Sequence, residues 1–311
     1  MQTHIEGLIA APFTPMDAEG QLNIDVVESY AALLQRNGVA GAFIGGTTGE
    51  SLSLTLCERQ ALTAAWMAAA PAALKVIVHV GHTCLDYSVT LAAQAQQVGA
   101  CAIAAMAPCF FKPGLHELVA YCRQIAAAAP ELPFYYYHIP SMTGVHIPMA
   151  DFLQAAGPLI PNLAGVKFTY EDLLDFQACL ALDGGRFDML FGRDETLLAG
   201  LALGARGAVG STYNFAAPLY TRLLTAFHAG DLAAARREQQ RAVAMIRFLL
   251  ACGMPFMPAS KAIMGMLGVE CGPTRLPLPA IIGAQREALY AGLQALGFFA
   301  DACQADEAMR S

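Results

Sequence analysis

Short apolar runs alternate along this chain with stretches whose apolar positions recur every three or four residues. The runs fall at residues 8–11, 40–44, 75–80, 102–105, 134–137, 164–168, 187–191 and 208–211. Runs this short and this poor in charge, set between helical patterns, predict βα units around a parallel sheet with both faces buried. Helical periodicity covers residues 24–36, closed by Gly38, and residues 115–129. Another helix opens on a capping box of Thr55 with Glu58, and a further one ends near Val98 ahead of Gly99. Eight such units before residue 218 predict an α/β fold of the (β/α)₈ (TIM) barrel type rather than a doubly wound sheet. No Gly-x-Gly-x-x-Gly follows the first run, which also counts against a dinucleotide-binding sheet.

Beyond residue 218 the strand-like runs stop and only helical patterns remain, at 219–228, 232–252, 259–267 and 279–296. Asp231 stands where it would cap the second of these. The expected organisation is a barrel over residues 1–217, a C-terminal helical bundle over 218–299 and a frayed polar tail over 300–311. Segment 253–258 is unusually apolar for a connection, and its role is not legible from the sequence.

Composition narrows the function classes. Apolar types make up 56% of the chain and charged types 14%, the balance of a well-buried globular protein. A net charge of −7 gives no electrostatic case for binding nucleic acid or an anionic membrane. The uncharged run 88–111 contains Gln94, Gln96, Gln97, Gly99 and Pro108, and divides into a helical and a strand-like half, so no membrane span is expected. The first residues lack the basic start and long apolar region of a signal peptide. Nine cysteines without a Cys-x-x-Cys spacing read as small core residues in a reducing compartment, so a cytoplasmic location is expected.

With only four lysines, each can be weighed separately. Lys75 opens a strand, at the face of a barrel where stability residues sit, Lys112 lies in a loop beside Pro113, and Lys261 lies in a C-terminal helix. Lys167 alone falls inside a buried-type strand near its C-terminal end, where barrel active sites are built. Desolvation there disfavours the ammonium and frees a nucleophilic amine, as Schiff-base chemistry requires. The alternative is a structural lysine paired with a carboxylate.

Strand alternation sends Tyr135 and Tyr137 to one side and Tyr136 to the other. A phenol at the top of the fifth strand reaches an amine at the top of the sixth and can shuttle its protons; the alternative is a tyrosine packed at a barrel rim. After the second strand come Gly45, Gly46, Thr47, Thr48, Gly49 and Glu50. Glycines admit close backbone approach, and exposed N–H groups with two hydroxyls suit a carboxylate, although such loops also serve as plain turns. Asp194 and Glu195 follow the seventh strand, either as acceptors for several sugar hydroxyls or as acids favoured at a helix N-terminus.

Together with segments 133–140, 204–214 and 272–278, these motifs resemble the N-acetylneuraminate lyase and dihydrodipicolinate synthase family of Schiff-base aldolases over nearly the whole chain, most strongly its animal-type lyases. The resemblance implies Lys167 as the Schiff-base lysine, Tyr137 as the proton-relaying phenol, and Thr47 and Thr48 as holders of the pyruvate carboxylate. It implies substrate contacts from Thr169, and contacts to a polyhydroxyl tail from Gly192, Asp194, Glu195 and Ser211. It further implies a barrel with a C-terminal helical bundle, a homotetramer, and a reaction without metal or organic cofactor.

Within that family, members that condense pyruvate with aspartate semialdehyde carry an arginine where this chain has Met142. A thioether cannot pair with a carboxylate, which disfavours the synthase reaction and fits cleavage of N-acetylneuraminate to pyruvate and N-acetylmannosamine. Phe110 and Phe111 stand where bacterial relatives often carry tyrosine, so no phenol is available from that loop, although animal-type relatives also have phenylalanine there. With the apolar segment 253–258, another 2-keto-3-deoxy sugar acid is the alternative substrate. Two rival classes are a metal-dependent aldolase using His79 and His82, and a keto-acid or sialic-acid binding protein on an aldolase barrel.

Overall fold

A computed structural model describes residues 4–304. Eight parallel strands close into a barrel in sequence order: β1 (Gly7–Ala10), β2 (Gly41–Ile44), β3 (Lys75–His79), β4 (Ala102–Met106), β5 (Phe134–His138), β6 (Leu163–Phe168), β7 (Asp188–Phe191) and β8 (Gly207–Gly210). Closure comes from β8 pairing with β1, Gly207 opposite Gly7 through Gly210 opposite Ala10. Each strand lies within two residues of the run that predicts it.

The strands alternate with α1 (Val27–Arg36), α2 (Leu56–Ala69), α3 (Leu85–Gln97), α4 (Leu115–Ala127), the short α5 (Pro140–Thr143), α6 (Met149–Ala156), α7 (Leu173–Ala181) and α8 (Leu197–Leu203). The C-terminal part comprises α9 (Tyr213–His228), α10 (Leu232–Ala251), α11 (Phe256–Met266) and α12 (Gly283–Ala295). The capping box of α2 forms, with Thr55 Oγ1 accepting from Glu58 N and Glu58 accepting from Thr55 N. Asp231 caps α10 by accepting from Ala234 N.

Three expected boundaries are corrected. Helix α9 starts at Tyr213 rather than 219, because Thr212 ends the β8 loop and the chain turns into the helix at once. Pro218 sits inside α9, and the backbone departs from helical geometry at Ala216 (φ −128°, ψ 23°). Proline's missing donor and ring clash allow a helix to continue only with such a kink. Helix α11 starts at Phe256 instead of 259, so the apolar segment is partly helical. Residues 300–304 are not frayed: Asp301 pairs with Arg222 and Arg241, and Cys303 N donates to Phe215 O at 2.7 Å. Residues 305–311 of that expected tail lie outside the described residues.

Side chains divide into a layer between barrel and helices and a smaller cluster filling the barrel, which includes Ile9, Phe43, Ile77, Ala104, Tyr135, Tyr137, Leu190 and Val209. Tyr136 faces the helices, as alternation requires. Strand β6 departs from simple alternation. Phe134 pairs with Leu163 but Tyr135 with Gly165, so Ala164 is skipped in the register. This bulge lets Ala164 turn into the barrel three residues before Lys167 while Val166 and Phe168 still pack outward. Gly165 is required here, since a Cβ would lie 1.8 Å from the carbonyl oxygen of Asp188.

The C-terminal part is tied to the barrel by Arg275. Its guanidinium meets both carboxylate oxygens of Glu58 and donates to Gly20 O at 2.9 Å and Ser53 O at 3.1 Å. Among the described residues no single helix is long and apolar enough to cross a membrane.

The hydrogen bonds from Arg275 hold the Glu58 carboxyl at about 2, well below its ordinary 4.5. A carboxylate depressed in the native state contributes stability above its unfolded pKa and loses that contribution as pH falls through the folded one. The difference in melting temperature between wild type and R275M is therefore expected to be largest near neutrality and to shrink between pH 4.5 and 2. A difference that stays constant across that window in thermal melts would contradict this role for the pair.

Candidate active site

All nine expected site residues line one cavity of about 410 Å³ at the C-terminal end of the barrel. They are Lys167, Tyr137, Thr47, Thr48, Thr169, Gly192, Asp194, Glu195 and Ser211. The position follows from the fold, since every βα connection opens onto that face.

Lys167 occupies the floor. It is register partner to Tyr137 across the β5–β6 pair, and in-register neighbours of parallel strands present their side chains to the same side. The Nζ lies 3.9 Å from the ring centroid of Tyr137 and 4.0 Å from that of Phe43. Among the described residues Lys167 forms no ion pair, which removes the reading of a lysine kept for a carboxylate partner. Burial holds its pKa down to about 7, and the negative charge of Asp194 partly opposes that shift. Near neutrality a substantial share of this amine is unprotonated.

Tyr137 is buried in the barrel, edge-on to Phe43 and His79. Burial pushes its phenol up to about 12, moderated by the 3.3 Å hydrogen bond shared with the Thr47 hydroxyl. It is thus protonated at neutral pH and linked to the loop that carries Thr47 and Thr48.

That loop is fixed at both ends. His79 Nδ1 lies 2.9 Å from Gly45 O, Thr14 Oγ1 donates to Gly49 O at 2.6 Å, and Glu50 N donates to Thr47 O at 3.0 Å. Gly45 has φ +63°, the left-handed region in which glycine is unstrained.

Asp194 stands on the far wall. Its Oδ2 accepts from Thr212 N at 2.9 Å and Thr212 Oγ1 at 2.6 Å. Burial pushes its carboxyl up to about 6 against the pull of those bonds. Its other oxygen lies against Gly210, where a Cβ would sit 2.0 Å away, so the residue facing it is held to glycine. Glu195 is half-buried and bound through Oε1 to Arg193 at 2.8 Å, and Arg193 also holds Glu171 at 2.8 Å. Gly192 N donates to Phe168 O at 2.8 Å, and a Cβ on Gly192 would lie 2.0 Å from Thr169 Oγ1. The Thr169 hydroxyl oxygen is buried without a protein partner.

Several lining residues are not marked by sequence motifs. Arg193 is flanked by two expected residues, yet its link to Glu171 depends on how two loops meet. Ile246 and Leu250 from α10, with Phe256 and Met257 from α11, add an apolar part to the cavity lining. Segment 253–258, without a legible role in the sequence, thus supplies part of the cavity wall. Met142 lies at the rim, 60% exposed.

The histidines of the metal reading are otherwise engaged. His79 is buried between Gly45 O and Met106 N, which its neutral form satisfies on both nitrogens, and burial depresses its pKa strongly. His82 Nδ1 accepts from Cys84 N at 2.9 Å. Among the described residues no three His, Cys, Asp or Glu side chains come together as a metal site would require.

Comparison with known proteins identifies the family. The model of the dihydrodipicolinate synthetase family matches residues 4–296. The N-acetylneuraminate lyase of Rattus norvegicus is 43% identical over 279 residues, covering 88% of this chain and 87% of the relative. The solved N-acetylneuraminate lyase of Proteus mirabilis superposes with a TM-score of 0.92 at 41% identity, covering 95% of this chain and 100% of that one. A dihydrodipicolinate synthase structure from Cyanidioschyzon merolae superposes with a TM-score of 0.87 at 29% identity, covering 95% and 99%. By sequence and fold the chain belongs to the dihydrodipicolinate synthetase family, and the relatives it matches include N-acetylneuraminate lyases.

Proposed function

We propose that this protein is a class I aldolase that reversibly cleaves N-acetylneuraminate to pyruvate and N-acetylmannosamine. The observation that carries the reading is a desolvated, unpaired lysine amine at the floor of a barrel-top cavity, stacked on a tyrosine whose hydroxyl reaches a threonine.

The neutral Lys167 amine attacks C2 of the open-chain sugar acid, and loss of water gives a protonated imine that serves as an electron sink. Thr47 and Thr48 hold the substrate carboxylate. The Tyr137 hydroxyl accepts the C4 hydroxyl proton while passing its own toward that carboxylate. The C3–C4 bond breaks, leaving an aldehyde at C4 and the enamine of pyruvate on Lys167. Protonation at C3 and addition of water release pyruvate and restore the amine. Asp194, Glu195, Ser211 and the backbone at Gly192 accept and donate hydrogen bonds along the polyhydroxyl tail, and Thr169 supplies a further hydroxyl. None of these steps calls for a metal or organic cofactor.

Charge in the cavity supports a neutral second product. Its lining cations are Lys167, whose nitrogen is neutral in the enamine that meets the aldehyde, and Arg193, which two glutamates already neutralise. With Met142 at the rim, a carboxylate-bearing aldehyde would be left unpaired, at a desolvation cost the sugar aldehyde avoids. The apolar wall of Ile246, Phe256 and Met257 favours, as a second reading, another 2-keto-3-deoxy sugar acid. We assign the chain, as part of the same reading, to a cytoplasmic homotetramer in which residues 1–217 carry the site and 218–299 cover it. The exposed, mutually packed Phe110 and Phe111 are the kind of apolar surface that assembly buries.

Pyruvate release, followed with a lactate dehydrogenase couple, tests the substrate across N-acetylneuraminate and shorter 2-keto-3-deoxy sugar acids, and condensation of pyruvate with aspartate semialdehyde is followed separately by direct product analysis. N-acetylneuraminate is expected to show the highest kcat/KM; a higher value for any other member replaces it as substrate.

The acid limb of kcat/KM is expected near pH 7, because the ammonium that dominates below that value is not nucleophilic. The charge of Asp194 raises the lysine's pKa, so D194N is expected to move this limb to lower pH. A limb that stays in place would show that the two groups do not sense each other, and one that moves upward would contradict the sign of their interaction.

A further inference from the structure

Outside the reacting groups, the most deeply buried ion pair of the described residues joins Lys261 of α11 to Glu50, both 1% exposed in their side chains. Lys261 Nζ donates to Glu50 Oε1 at 3.0 Å and to Pro273 O at 2.7 Å. The other oxygen of Glu50 accepts from Arg275 N at 2.8 Å. A buried pair of this kind costs desolvation of two charges and contributes little net stability over an apolar replacement. Packing alone therefore does not account for it.

Its place in the chain is more informative. Glu50 is the last residue of the loop that presents Thr47 and Thr48, and its backbone lies in the left-handed region at φ 54°. Glycine would adopt that conformation without strain, so a glutamate there is held by what its carboxylate binds. Its amide closes the loop on Thr47 O at 3.0 Å. At the other end of the pair, α11 begins with Phe256 and Met257, which line the cavity. One helix thus carries both a cavity wall and the counter-charge of the threonine loop.

We propose that Lys261 is a positioning residue for the pyruvate half of the site: through Glu50 it fixes the Thr47–Thr48 loop that receives the substrate carboxylate, and keeps the Thr47 hydroxyl against Tyr137. The role rests on the aldolase reading, and acts on the keto-acid carboxylate rather than on the sugar tail. Without the pair, the loop loses its anchor to α11 while Lys167, Asp194 and Glu195 keep theirs. Loss of geometry at that loop weakens binding of the carboxylate more than it alters binding of the aldehyde partner.

The test is condensation kinetics with pyruvate varied at saturating N-acetylmannosamine, and the reverse, in wild type, K261M, K261R and the double variant E50Q/K261M. K261M is expected to raise the pyruvate KM by about 10- to 100-fold, with the N-acetylmannosamine KM changed less than about threefold. K261R, which keeps the charge, is expected to restore most of the pyruvate affinity. The double variant removes the orphaned carboxylate and so keeps the fold if K261M does not; its pyruvate KM is expected to remain high. A merely structural pair would lower the melting temperature and the active fraction but leave the pyruvate KM of the surviving enzyme at the wild-type value. That outcome in the double variant overturns the proposal. Failure of wild type to consume pyruvate at all would instead overturn the aldolase reading.

Discussion

The structure depends on keeping one amine out of water without giving it a counter-ion. Lys167 sits between the faces of Phe43 and Tyr137, and burial brings its pKa close to 7. The ring faces offer the ammonium a weak electrostatic partner that does not block the lone pair of the neutral form. Asp194 works against the shift from across the cavity, so the amine retains some basicity. An ion pair at contact distance would have stabilised the charged form and abolished the nucleophile.

Much of the barrel can be understood as what holds the groups around that amine. The bulge at Ala164, with glycine at 165, sets the phase of β6 so that Lys167 faces the interior beside Tyr137. Gly192 and Gly210 leave room for Thr169 and Asp194, where a methyl group would collide. The threonine loop is braced by His79, Thr14 and, from the far end of the chain, Lys261. The C-terminal helices therefore act on the site as well as covering it. They complete its apolar wall and reach the loop through a buried charge.

The strands and the residues that line the cavity are legible because their signals are local. Period-two burial places Tyr137, and an uncharged strand makes Lys167 conspicuous among four lysines. What was not legible depends on distant meetings. Segment 253–258 looked like an overly apolar connection until α11 was seen to lay Phe256 and Met257 against the cavity. Lys261 read as an ordinary helix lysine because its partner lies 211 residues away. Arg193 carries no signal of its own between Gly192 and Asp194, since only the folded loops clamp it between Glu171 and Glu195. The polar end of the chain read as frayed, yet Asp301 meets two arginines that come from α9 and α10. The helical pattern from residue 219 misses the first turns of α9, because the helix carries Pro218 in its interior through a kink at Ala216.

The most direct measurement is reductive trapping. The intact protein is incubated with pyruvate and sodium borohydride, digested, and its lysine-containing peptides are assigned by mass spectrometry. An imine on the desolvated amine predicts a reduced pyruvate adduct on Lys167 and on no other lysine, with loss of activity in step with labelling. No adduct, or an adduct confined to Lys75, Lys112 or Lys261, would contradict the account at its centre.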